Sequence, residues 1–117
     1  MEKKTYRPRI KVQMQSEERE VFFGSGIAEL LRRIDESGSM RKASIDMGMS
    51  YSKCWKIIRR AEKCVGFSFL DGTVGGASGG GSKLTPEGEE FLKKYTLMKE
   101  EIDRKAEKIF EKYFPGE

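Results

Sequence analysis

The spacing of apolar residues along the chain changes period several times, and each change marks an expected element. In residues 9–15, RIKVQMQ, apolar and polar positions alternate strictly, so Ile10, Val12 and Met14 share the face of a half-buried strand. Residues 20–23 form a second short strand, and the polar residues 16–19 between them turn the chain, which predicts a β-hairpin over residues 9–24. The period then lengthens. Ile27, Leu30, Leu31 and Ile34 follow the i, i+3, i+4, i+7 spacing of a helix over residues 26–37, opened at Ser25-Gly26 and closed at Ser37-Gly38. A short helix follows, with Met40, Ala43 and Met47 inward. A second helix reaches Cys64, placing Cys54, Ile57, Ile58, Ala61, Cys64 and Val65 on one buried stripe. Ser39 and Ser50 can cap these two helices, and Gly48 can supply the left-handed residue between them. Residues 39–64 therefore have the layout of a helix-turn-helix.

Beyond Gly66, residues 67–70 are apolar and extended, Asp71-Gly72 invites a turn, and Thr73-Val74 leads into GGASGGGS before Lys83-Leu84-Thr85. Such a run often serves as a flexible linker. A linker should separate two domains, however, and only one helix follows, so residues 67–85 are better read as a glycine-rich wing beside the helix-turn-helix. A phosphate-binding P-loop would end in Gly-Lys-Ser/Thr, whereas Gly81-Ser82-Lys83 has the order reversed. Thr85-Pro86-Glu87 is a strong helix start, and the helix can run through residues 86–114. At about 1.5 Å per residue it would be roughly 43 Å long, more than a domain of this size needs for its own core. Its stripe of Phe91, Tyr95, Met98, Ile102, Ala106, Ile109 and Tyr113 therefore implies a second copy over the distal half, with Met98, Ile102, Ala106, Ile109 and Tyr113 at the dimer seam. Packing within one chain is the alternative.

Charge sharpens this picture. The second helix of the pair places Ser52, Lys53, Lys56, Arg59, Arg60 and Lys63 on the arc opposite its apolar stripe, with Tyr51, Trp55 and Glu62 on one flank. Five cations against one anion make this segment as positive as the whole chain, whose net charge is +4. A merely solvated face would usually mix its signs. The other basic segment is the start, with Lys3, Lys4, Arg7, Arg9 and Lys11, which could add phosphate contacts to the hairpin's packing role. At 117 residues the chain is one domain, long enough to close a core unaided. Two cysteines and no histidine do not make a closed zinc site, and the commonest general base is missing. Cys54 and Cys64 are about two and three-quarter turns apart on one helix and cannot bridge, so both are expected as small buried residues. With no recognisable nucleophile and base, an enzyme is not expected, and neither is a cofactor or metal. The aromatic residues are not arrayed as an RNA-stacking sheet. No apolar run approaches the roughly 18 residues that would suggest a membrane span, and the basic start lacks a signal peptide's apolar core, so a cytoplasmic location is expected.

Three segments together resemble the amino-terminal winged-helix domain of the ModE molybdate-responsive regulators. They are Ile34-Asp35-Glu36-Ser37-Gly38-Ser39, then Gly48-Met49-Ser50-Tyr51-Ser52 with Trp55, and Val74-Gly75-Gly76-Ala77-Ser78-Gly79-Gly80-Gly81 leading to Leu84-Thr85-Pro86-Glu87-Gly88. The resemblance covers about residues 9–111. It implies a homodimeric regulator of transcription that binds double-stranded DNA. In full-length members a pair of molybdate-binding domains follows the long helix, whereas this sequence stops at Glu117, so molybdate sensing is not implied and a stand-alone form is expected.

The expected fold is α+β and mostly helical: a winged helix-turn-helix with an N-terminal β-hairpin and a long C-terminal dimerisation helix. Ser50, Tyr51, Ser52, Lys53 and Lys56 are expected in the major groove or at its edge, and Arg59, Arg60 and Lys63 on phosphates. Ser39 and Arg41, at the start of the preceding helix, and Gly79, Gly80, Ser82 and Lys83 of the wing are expected at the backbone or minor groove. Trp55 is expected as a packing anchor under the wing. The alternative is a winged-helix interaction module that does not read DNA.

Overall fold

The structure is a computed structural model and describes residues 5–72 and 82–116. Among the described residues, four helices and two small antiparallel sheets follow one another as β1 (Met14–Gln15), β2 (Val21–Phe23), α1 (Ser25–Ser37), α2 (Met40–Asp46), α3 (Tyr51–Val65), β3 (Leu70–Gly72), β4 (Ser82–Leu84) and α4 (Pro86–Tyr113). This is an α+β, mainly helical arrangement consistent with a winged helix. The wing tip, including Gly79 and Gly80, lies outside the described residues.

The hairpin forms, but β1 is two residues long where seven were expected. The cause is its partner: β2 ends at Phe23 because α1 begins at Ser25, so residues 9–13 have no strand beside them. The turn closes without an Asn-Gly pair. Ser16 N–H donates to Glu20 O at 2.8 Å, Arg19 N–H donates to Ser16 O at 2.9 Å, and Arg19 takes the left-handed φ of 66°. α1 starts one residue earlier than expected, from Gly24, which offers no side-chain cap.

The core fills the space between α1, α3, the hairpin and the first half of α4. Phe23, Leu30, Leu31, Ile34, Ala43, Cys54, Ile58, Ala61 and Phe69 are buried together. Phe23 is its aromatic hub, edge-on to Phe91 and Tyr95 at centroid distances of 4.9 and 5.0 Å and stacked on Phe69 at 5.9 Å. Aromatic pairs in these arrangements add about 0.5–1.5 kcal/mol each beyond their buried area. Tyr95 also reaches across to the first segment, its hydroxyl donating to Val12 O at 2.8 Å.

The wing's strands pair Leu70 with Leu84, Asp71 with Lys83 and Gly72 with Ser82. Asp71-Gly72 therefore continues the ladder rather than turning, because half-buried Leu70 and Leu84 set a register that carries the strands outward. α4 ends at Tyr113, with Phe114 as its cap residue. Along its distal half the expected stripe is only partly used. Met98 packs on the core and Ile102 and Ala106 are half-buried, but Ile109 and Tyr113 are 57% and 66% exposed. The chain's own first segment packs on a neighbouring stripe instead, Tyr6 meeting Phe110 and Phe114 edge-on at 6.0 and 6.2 Å.

Candidate nucleic-acid interface

The two helices of the motif are started by their serines. Ser39 Oγ accepts from Lys42 N–H at 3.0 Å and Ser50 Oγ from Lys53 N–H at 3.1 Å, satisfying amides that a helix start otherwise leaves unpaired. Between them Gly48 has φ +70°, a value a side chain would strain, so the chain can reverse from α2 to α3 within a few residues. Buried Ser44 donates to Met40 O at 2.7 Å and hydrogen-bonds the Cys54 thiol, tying α2 to α3 at the centre of the pair. Burial pushes that thiol above its ordinary value, and its hydrogen bonding with Ser44 opposes the shift. Cys64 departs from expectation: it is exposed, not buried. It lies at the edge of the apolar stripe in the last turn of α3, about 80° around the helix from Cys54 and past the core.

The opposite arc of α3 faces outward. Ser52, Lys53, Lys56, Arg59, Arg60 and Lys63 are all exposed. Among the described residues only Arg60 has a carboxylate near it, Glu20 at 3.9 Å, with both side chains more than half exposed. A solvated pair of that length contributes about 0–1 kcal/mol. Glu62, the one anion of α3, is turned away: its Oε2 accepts from Phe69 N–H at 2.9 Å, at the approach to β3. Arg59 lies over the Trp55 ring at 4.9 Å and Arg41 over the Tyr51 ring at 5.0 Å, with Tyr51 edge-on to Trp55. These stacks hold two guanidinium groups by their faces, which leaves their N–H edges available to an acceptor. Half-buried Trp55 also packs against the core.

The remaining candidates join this surface from its borders. Arg41 links the start of α2 to the start of α3 through Tyr51. Ser82 N–H donates to Gly38 O at 2.9 Å, so the first residue of β4 is seated next to Ser39 at the α1–α2 junction. Lys83 is exposed, with its ammonium 3.3 Å from Asp35 O at the negative end of α1. Ser39, Arg41, Ser50 to Lys63, Ser82 and Lys83 are thus parts of adjoining elements. The sequence reading missed two residues that hold the border together, Asp35 and Glu62. Asp35 Oδ1 accepts from Leu84 N–H at 3.1 Å. Glu62 could have been suspected as the lone acid on a basic helix, whereas nothing in the spacing of Asp35 signals its role.

A two-helix motif with a basic outer helix, followed by a two-stranded wing and a long helix, defines the class as winged-helix. No family model matches the chain. It is similar to the molybdenum transport protein ModE of Herbaspirillum seropedicae, 35% identical over 63 residues, which are 54% of this chain and 23% of that protein. The DNA-binding transcriptional dual regulator ModE of Escherichia coli K12 is 32% identical over 77 residues, 66% of this chain and 29% of the relative. The molybdenum-pterin-binding protein MopB of Rhodobacter capsulatus is 31% identical over 72 residues, 62% and 27%. The chain thus carries a ModE-like region, as its motifs implied, and spans about a quarter of the length of the curated relatives it matches. No helix among the described residues is long and apolar enough to cross a membrane.

Proposed function

We propose that the chain is a sequence-specific, double-stranded DNA-binding regulator of transcription that acts as a homodimer. The observation that carries the reading is the outer arc of α3: exposed cations of which, among the described residues, only Arg60 has a carboxylate near it, with the one anion of α3 itself turned to a backbone amide. A duplex supplies the missing charge. The amino-terminal half of α3, with Ser50, Tyr51, Ser52, Lys53 and Lys56, enters the major groove, where lysine and serine meet base edges. Arg59, Arg60 and Lys63 hold phosphates, Arg60 exchanging its long contact with Glu20 for a phosphate oxygen. Ser39 and Arg41 meet the backbone on one side, and the wing, with Gly79, Gly80, Ser82 and Lys83, meets it or the minor groove on the other.

The homodimer is supported by Ile109 and Tyr113, apolar side chains left open at the end of α4. A second copy of the helix would cover them together with Met98, Ile102 and Ala106. Two-fold symmetry then places half-sites about 10 base pairs apart or a multiple of that.

Selecting bound fragments from random DNA at fixed salt tests the reading. A palindromic consensus is expected, with an affinity that falls steeply with salt, its logarithmic slope about −0.9 per phosphate neutralised. Recovery of no consensus together with a flat salt dependence would refute it in favour of an interaction module.

A further inference from the structure

We infer that Asp35 and Glu62 are positioning residues that lock the wing to the DNA-reading helices, so that wing and α3 meet one duplex as a single rigid surface. This inference rests on the proposed DNA reading and goes beyond it.

Among the described residues the wing is a two-stranded ladder of three pairs, and a two-stranded ribbon is marginally stable at best on its own. Its orientation must come from what grips its base. Both strands are gripped there by a carboxylate, each from a different helix. Glu62 of α3 accepts from Phe69 N–H at 2.9 Å, one residue before β3 begins. Asp35 of α1 accepts from Leu84 N–H at 3.1 Å, at the end of β4. Two further bonds tie β4 to the same end of α1, from Ser82 N–H to Gly38 O at 2.9 Å and from Lys83 Nζ to Asp35 O at 3.3 Å. Thr85 N–H then donates to Phe69 O at 2.9 Å and closes the base.

Hydrogen bonds to a charged acceptor are the stronger kind, and the bonded amides belong to half-buried Leu84 and buried Phe69. The clamp therefore fixes the angle at which the strand carrying Ser82 and Lys83 leaves the body, relative to a recognition helix that is itself one jaw. Neither carboxylate needs to touch DNA. Both act through the backbone they hold, and Glu62 in doing so withdraws the only negative charge of α3 from the groove-facing arc.

Comparing isoelectric variants isolates the clamp from its charge. Asp35→Asn and Asp35→Ala both remove one negative charge, but only asparagine keeps an acceptor for Leu84 N–H; Glu62→Gln and Glu62→Ala form the matching pair. Amide hydrogen exchange of the free protein is expected to speed up about tenfold at Leu84 in Asp35→Ala and at Phe69 in Glu62→Ala, and to stay near wild type in the amide variants. On the selected duplex, each alanine variant is expected to bind about three- to tenfold more weakly than its amide counterpart, with a salt slope shallower by about one. Exchange at Ile58, in the core of α3, reports whether each variant is folded. Equal exchange and equal affinity within each folded pair would overturn the inference. A wild-type protein that selects no duplex would refute the function instead, whereas the exchange comparison would still decide whether the clamp exists.

Discussion

Replacing Gly88 by alanine puts the grip between the wing and α4 to a direct test, because two known effects oppose each other there. Gly88 lies in the first turn of α4, where alanine would ordinarily gain up to about 1 kcal/mol through helix propensity. Its Cβ, however, would sit 2.6 Å from Phe69 O and 3.1 Å from both Phe69 Cα and Thr85 Oγ1. The first two are backbone atoms, so no rotamer change relieves them. Moving Phe69 outward would also lengthen the 2.9 Å bond from Thr85 N–H to Phe69 O and disturb the ring stacked on Phe23. Overpacking of this kind costs about 1–3 kcal/mol, and a weakened hydrogen bond about 1 more, so a net loss of about 1–3 kcal/mol is expected. In urea, with a slope of about 1–3 kcal/mol/M, the midpoint should fall by about 1 M. Gly26 provides the opposite control: it lies in the first turn of α1, and a Cβ there meets nothing within 4 Å. Gly26→Ala should stabilise by about 0.4–1 kcal/mol. If Gly88→Ala unfolds at or above the wild-type urea midpoint, the close approach of the Phe69 backbone to α4 is not what excludes a side chain.

Three other outcomes are expected. Lys56→Ala should weaken DNA binding and blur the preferred sequence, whereas Arg59→Ala should weaken all sequences alike, as competition titrations at fixed salt would show; a Lys56→Ala protein unchanged in both respects would remove α3 from the groove. Ile109→Glu with Tyr113→Glu should leave a folded monomer at tens of micromolar where the wild type is expected to sediment as a dimer, and a wild-type monomer would remove the proposed seam. Under native conditions Cys64 should alkylate at least about a hundredfold faster than Cys54, because only the first is exposed and burial pushes the other thiol's pKa up; mass spectrometry at pH 8 reads the ratio.

The helices were legible because their signals are local. Leu30, Leu31 and Ile34 repeat at helical spacing, and Ser39, Ser50 and Thr85 cap the helices as read. The basic face of α3 was legible for the same reason, since one helix carries all of it. What escaped depends on partners distant in sequence. The length of β1 is set by where α1 starts, and the pairing of Asp71 with Lys83 by a leucine pair fourteen residues apart. The apolar face of α4 divides in two because Tyr6 arrives from the other end of the chain to meet Phe110 and Phe114. Cys64 was misassigned because a wheel gives direction but not where the core stops. Asp35 was missed because an aspartate late in a helix looks like any solvated acid until the strand it holds is folded against it.

The acids of this basic protein show how fold and function share the chain. On α2 and along α4 carboxylates pair with cations on their own helix, as Asp46 does with Lys42 and Glu90 with Lys94, both at 3.7 Å. Around α3 the same chemistry is put to another use. Glu62 and Asp35 bind backbone amides, and Glu20 stands at the outer edge of ion-pair range from Arg60. Had Glu62 reached one of the neighbouring cations, α3 would have neutralised part of itself, and β3 would have lost an anchor. By spending that carboxylate on Phe69 N–H, the sequence stabilises the wing's base and keeps the outer arc positive with one residue. Charge that contributes little to stability at an exposed surface is thereby left open to the duplex proposed above, whose counterion release would favour binding.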